Sequence, residues 1–170
     1  MPRNVEIKAR VNDLERLHQR IRTITPSEPT LIHQDDTFFT CATGRLKLRE
    51  FGDGSGELIF YQRADRTGPK ESFYIRTPTS DPASLRQILS LAHGQIGRVR
   101  KQRTLYLTSR TRIHVDRVEG LGNFLELEVV LHDDEAIDAG VREAEQLASA
   151  LGIAARDLLQ GAYLDLLATQ

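Results

Sequence analysis

The chain has 170 residues, 39% hydrophobic and 28% charged, and its 23 basic and 24 acidic side chains leave a formal net charge of −1. This is the balance of an ordinary globular protein, long enough for one core without disulfides or a structural metal, and the near-zero sum excludes any assignment of a partner from net charge. Cys41 is the single cysteine, which excludes an intrachain disulfide framework; with no signal-like start and no eighteen-residue apolar run, the expectation is a cytoplasmic protein of one domain, residues 1–170.

From Asn4 to Val11 polar and apolar residues alternate, which predicts a first strand. Leu14, Leu17, Ile21 and Ile24 follow at helical spacing after a cap at Asn12 or Asp13, and two prolines in TPSEP end the pattern. LIHQDDTFFT, RLKLREF, ELIFYQRA and ESFYIRT then read as strands, joined by a hairpin turn at GDGSG and a loop at DRTGPK. A second helix is predicted over SDPASLRQILSLAHG, with Asp81 as cap, Pro82 in the first turn and Gly94 just past the end. RVRKQRTLYLT, RTRIHVDRV and NFLELEVVL give three more strands, with EGLGN as the last turn. DDEAIDAGVREAEQLASALG and ARDLLQGAYLDLL read as two final helices, the second carrying Gly161 inside it at a cost of about 1 kcal/mol. The sum is seven or eight antiparallel strands with helices on one face, an α+β arrangement that could close into a barrel.

Several strands share one pattern. Glu126 and Glu128 lie on one face of FLELEVV with the leucines on the other; Arg45, Lys47 and Arg49 do the same on RLKLR, and Lys101 and Arg103 on VRKQRTL. TRIHVD places Arg112, His114 and Asp116 together. Two like charges about 6 Å apart repel by roughly 3 kcal/mol at an effective dielectric near 20, and by less than about 1 kcal/mol in water. Splayed open, such faces mean little; closed inward, they require a polyanion for the cations and metal ions for the carboxylates. Periodicity alone does not choose between the two.

In order and spacing, RNVEIKARV, HQDDTFF, GRLKLRE, LIFYQR, RVRKQRTLY, RIHVDRVEGLGNFLELEVV and QGAYLDLL resemble the CYTH domain proteins of the triphosphate tunnel metalloenzyme superfamily, in the branch of class IV adenylyl cyclases. The resemblance implies an eight-stranded antiparallel barrel with a charged lumen and helices outside. It implies that Lys8, Arg45, Lys47, Arg49, Lys101 and Arg103, joined by Arg63, hold a triphosphate. It also implies that Glu6, Glu126 and Glu128 bind Mg²⁺ or Mn²⁺, with Asp116 a ligand or outer partner. Carboxylate oxygens suit these hard cations, and the arginine fork suits phosphate oxygens. The family's Glu-x-Glu-x-Lys signature departs at Asn4, whose neutral carbonyl lacks the charge that would help hold a second ion.

The expected activity is metal-dependent conversion of ATP to cyclic AMP and pyrophosphate, with no residue standing out as the general base. Hydrolysis of tripolyphosphate, thiamine triphosphate or a nucleoside triphosphate is the competing enzyme reading, and a non-catalytic nucleotide or polyphosphate binder the competing reading of another class. The resemblance admits a homodimer; neither nucleic acid nor a membrane is an expected partner, since RVRKQR alternates with strand positions and is balanced by glutamates. His114 reads as a packed or hydrogen-bonded strand histidine, Phe38 and Phe39 as core, and Lys70 as an exposed loop lysine.

Overall fold

The computed structural model describes residues 2–64 and 66–170. Its strands are β1 (Arg3–Arg10), β2 (Thr30–Phe39), β3 (Arg45–Phe51), β4 (Gly56–Arg63), β5 (Lys70–Thr79), β6 (Gln95–Thr108), β7 (Thr111–Val118) and β8 (Gly122–Leu131). Each pairs antiparallel with its neighbours in the order β5, β4, β3, β2, β6, β7, β8, β1, and β1 returns to β5 through Arg3–Glu6 against Phe73–Lys70. The barrel is closed, so no main eight-stranded edge is left open to another chain. Asp65, within the loop read at DRTGPK, lies outside the described residues.

Helices α1 (Leu14–Ile24), α2 (Pro82–His93) and α3 (Ile137–Ala150) pack outside the barrel. Asp13 caps α1 by accepting from the Arg16 amide at 3.0 Å, and Asp81 caps α2 by accepting from the Ser84 amide at 3.0 Å. Gly94 closes α2 at φ +78°, a conformation open to glycine without a Cβ penalty. Val5, Ile7, Leu125, Leu127 and Val129 point outward from β1 and β8 onto Leu17 and Ile21 of α1 and Ala144 and Ala148 of α3. Phe39 and Leu48 lie under Leu89 of α2. The apolar core therefore sits between wall and helices, and the alternate residues of each strand are turned into the lumen.

The C-terminal reading needs correction. A helix was expected over ARDLLQGAYLDLL, but a 3₁₀ turn at Ala155–Asp157 leads into a two-residue strand, β9 (Leu158–Leu159), and only Tyr163–Ala168 forms a helix, α4. Here β9 pairs with Lys8 and Ala9 of β1, where β5 has left off, and Gly161 takes φ +81°. Pairing to an otherwise vacant stretch of β1, with the Gly161 carbonyl accepting from Lys8 and Arg63, outweighs local helix propensity. α4 then lies across one end of the barrel on Phe38, Val99, Val118 and Phe124. Gly97 permits this: a Cβ there would meet Leu164 Cδ1 at 2.2 Å.

Lys70 is the second correction. It is fully buried at the start of β5, opposite Glu6, and its ammonium donates to the Arg66 carbonyl at 3.0 Å. Closure of the barrel through β5 takes the residue out of the loop. Among the described residues, no helix is long and apolar enough to cross a membrane.

Candidate active site

Alternation turns one residue in two inward, and the lumen is a cavity of about 260 Å³ in which basic side chains outnumber acidic ones by eight to five. Lys8, Lys101 and Arg103 are at most 8% exposed. All seven cations named from the sequence are in or beside this lumen, but each is held differently.

Lys47, Arg49 and Lys101 converge on Asp36 of β2. Lys47 Nζ donates to Oδ2 at 2.9 Å, Arg49 donates through Nε and Nη2 at 2.8 Å each, and Lys101 Nζ lies 3.8 Å away. Asp36 is 1% exposed. Burial works to raise its pKa, but Arg49, Lys47 and Lys101 hold it well below the ordinary carboxylate range. The cations feel the same burial from the other side. It lowers Lys101 well below the usual lysine value, helped by Arg103, and with Arg49 it brings Lys47 down to about 8.

Next along the wall, Arg103 donates Nε and Nη2 to the two oxygens of Asp116 at 2.7 Å each and shares Nη2 with Glu126 at 2.7 Å. Tyr163 of α4 donates its hydroxyl to Asp116 Oδ2 at 2.7 Å. Asp116 is fully buried and both its oxygens are occupied, so it fixes the guanidinium of Arg103 in the lumen. Lys8 lies 3.1 Å from Glu126 Oε1 and 4.0 Å above the Tyr163 ring. Burial is the main cause lowering its pKa.

Arg63 donates to Glu6 Oε2 and to the Gly161 carbonyl, both at 2.9 Å. Arg45 is bound by Asp165 of α4 at 2.6 and 2.7 Å. It sits at the α4 end, outside the lumen lining that the other six cations share.

The carboxylates divide too. Glu126 and Glu128 stand together with His114 across β7 and β8, each offering a donor atom within 4.8 Å of the other two. Glu6 lies opposite Glu128 in register but is engaged by Arg63. Asn4 is 2% exposed in the lumen, and its Oδ1 is buried with no hydrogen-bond partner. Glu126 is held well below the ordinary range: burial would raise it, and Lys8 and Arg103 outweigh that. Glu128 is lowered as well, by His114 and Arg112 against burial. Both are ionised at neutral pH, a donor set that fits a divalent cation.

Asp36, Gly161 and Tyr163 escaped the sequence reading, while Arg112 and His114 were placed there on one charged face with Asp116 but given no part in binding. For Asp36 the signal was strand parity, which puts it on one face of β2 with Gln34 and Phe38, both of which line the lumen; for Arg112 and His114 it was the face they share with Asp116. For Gly161 and Tyr163 there was none, because both were placed inside a helix.

The CYTH domain family model matches residues 2–163. The chain belongs to the CYTH family. A Methanocaldococcus jannaschii protein is 25% identical over 170 residues, which span 95% of this chain and 97% of that one. Adenylate cyclase CyaB of Aeromonas hydrophila is 25% identical over 167 residues, 94% of this chain and 85% of that one. Among solved structures, a Pyrococcus horikoshii protein superposes with TM-score 0.85 at 22% identity, covering 96% of this chain and 98% of that one. HpAC1 of Hippeastrum, described as revealing a dominant triphosphatase activity, superposes with TM-score 0.68 at 15% identity, covering 98% and 95%. The charged lumen is thus set in a CYTH barrel over nearly its whole length.

Proposed function

We propose that this CYTH protein is a divalent-cation-dependent enzyme acting on a triphosphate in the barrel lumen, and that its reaction is conversion of ATP to 3′,5′-cyclic AMP and pyrophosphate. The observation that carries this reading is the wall of buried Lys8, Lys101 and Arg103 and half-buried Lys47 and Arg49 beside the half-buried pair Glu126 and Glu128, all facing one cavity. Protein carboxylates pair with these cations, yet the lining keeps eight basic side chains against five acidic ones, an excess that suits a polyanion. Arg63 and Arg45 extend the phosphate-binding set toward α4. Glu126 and Glu128, with Glu6 opposite, would hold the cation, and Asp116 would act by fixing Arg103.

A bound Mg²⁺ or Mn²⁺ supplies Lewis-acid polarisation of the reacting phosphoryl group. The planar forks of Arg49 and Arg103 orient phosphate oxygens, and Lys8, Lys47 and Lys101 stabilise charge gathering on the leaving pyrophosphate. Hydrolysis is the second reading: the same wall serves a water nucleophile, and HpAC1 is described by that activity.

Product analysis tests the assignment. With Mg²⁺ or Mn²⁺ the purified protein is expected to turn ATP into cyclic AMP and pyrophosphate, and a chelator to stop it. Orthophosphate from ATP, tripolyphosphate or thiamine triphosphate with no cyclic product would move the assignment to a hydrolase. No product from any of them would leave only binding.

The wall also predicts a proton linkage. Burial and Arg49 bring Lys47 down to about 8, so its charge is lost as pH rises through that value, and a bound polyanion raises the value again. Tripolyphosphate is therefore expected to bind with proton uptake near pH 8 and to weaken, by up to about tenfold per pH unit from this group, above it. Calorimetry in two buffers of different ionisation enthalpy measures the uptake. Lys47→Arg should reduce it; uptake unchanged in that variant would exclude Lys47 as the source.

A further inference from the structure

We propose that His114 supplies an imidazole nitrogen ligand to the cation held by Glu126 and Glu128, so that the site is a mixed nitrogen and oxygen site that prefers Mn²⁺ to Mg²⁺. The inference rests on the reading of this lumen as a cation site and goes beyond it in naming a ligand and a selectivity.

His114 faces the lumen from β7, opposite Glu126 in register, and is 5% exposed. Its Nδ1 is buried without a hydrogen-bond partner. It lies 3.8 Å from Glu126 Oε2 and 3.7 Å from Glu128 Oε1, beyond hydrogen-bonding reach. Those separations suit three atoms around one ion. Ligand atoms about 2.1 Å from a metal sit roughly 3 Å apart at right angles and roughly 4.2 Å apart across it, and the observed values lie between. Arg112 takes Glu128 Oε2 at 2.9 Å, which leaves Oε1 turned toward the imidazole.

A buried polar atom left unpaired costs free energy, so the orphaned Nδ1 is a donor atom in want of a partner. The chemistry of the set then decides the ion. Mg²⁺ takes oxygen ligands in near-ideal octahedral geometry, whereas imidazole strengthens binding of transition-metal ions. Asn4 brings no charge on the β1 side, and His114 adds a donor on the β7 side.

The test uses the whole protein, stripped of metal, with Mn²⁺ as the probe. Loss of the free Mn²⁺ electron paramagnetic resonance signal gives its affinity, and competition gives that of Mg²⁺. Pulsed spectra of bound Mn²⁺ should show nitrogen coupling that changes when histidine is labelled with ¹⁵N. His114→Gln should abolish the coupling and weaken Mn²⁺ by at least about tenfold, with a smaller loss for Mg²⁺. Bound Mn²⁺ without nitrogen coupling in the wild type, or affinity unchanged in the variant, would overturn the proposal and leave His114 as a packed residue of the lumen wall. Nitrogen-coupled Mn²⁺ in a protein that turns over no triphosphate would uphold the ligand while the enzymatic reading failed.

Discussion

Glu126→Gln is expected to remove turnover while sparing metal-free binding of tripolyphosphate. Glu126 takes Arg103 at 2.7 Å and Lys8 at 3.1 Å, stands beside Glu128, and is ionised throughout the neutral range. Glutamine keeps the volume and one acceptor oxygen but deletes the charge that a cation requires. Loss of an outer partner of a metal ligand costs roughly 10–100-fold, so loss of the ligand's charge should exceed 100-fold in rate at fixed Mg²⁺ or Mn²⁺. The polyanion responds in the opposite sense. An anion has gone from among the cations, so tripolyphosphate without metal should bind as well as before or more tightly. Breaking a buried ion pair costs about 3–5 kcal/mol when a charge is left uncompensated. Arg103 keeps two bonds to Asp116, and Lys8 keeps the Gly161 carbonyl, so the loss should fall at or below the low end. Rate, metal-free binding and denaturant midpoint measured together decide it. Turnover within tenfold of the wild type would remove Glu126 from the cation site.

Strand parity made most of this fold and much of its lumen legible. Eight alternating segments became eight strands, and Lys8, Lys47, Arg49, Lys101 and Arg103 became a shared inner wall because each sits in phase with its strand's polar face. Asp13 and Asp81 announced α1 and α2 by side-chain chemistry local to the helix start. What parity could not carry was closure. Whether the charged faces meet depends on β1 finding β5 across more than sixty residues, and nothing local to either strand encodes that pairing. The family resemblance supplied it. Lys70 was misplaced for the same reason: its burial is a product of closure. The C-terminal misreading is different in kind. Apolar spacing in ARDLLQGAYLDLL is genuinely helical, but Gly161 is drawn into a bend of positive φ by two lumen cations that lie far away in sequence. A tertiary hydrogen-bond demand there overrides local propensity.

The arrangement of anions explains how so many cations are held together in one lumen. Asp36 compensates Lys47, Arg49 and Lys101; Asp116 compensates Arg103; Asp165 and Glu6 take Arg45 and Arg63. A polyanion entering this lumen thus competes with protein carboxylates for each arginine, and its affinity is what remains after that competition.

Asp36→Asn should expose this directly, with a large loss of stability and a gain in polyanion affinity. The three cations around Asp36 would lose their common counter-ion in a site where Asp36 itself is 1% exposed. The expected cost is about 3–5 kcal/mol, read as a lower denaturant midpoint at pH 7. The deficit should shrink with alkalinity. Asp36 helps to hold Lys47 up at about 8, so in the variant the folded value falls further. The folded state then binds fewer protons than the unfolded one over a wider window, and stability rises with pH through it. Tripolyphosphate should replace the missing charge. At a concentration one hundred times its dissociation constant it returns about 2.7 kcal/mol, and that constant should itself be at least tenfold lower than in the wild type once the competing carboxylate is gone. A variant that loses stability but gains nothing in tripolyphosphate affinity would show that the ligand bypasses Lys47, Arg49 and Lys101, and the phosphate chain would then have to be placed on Lys8, Arg63 and Arg103 instead.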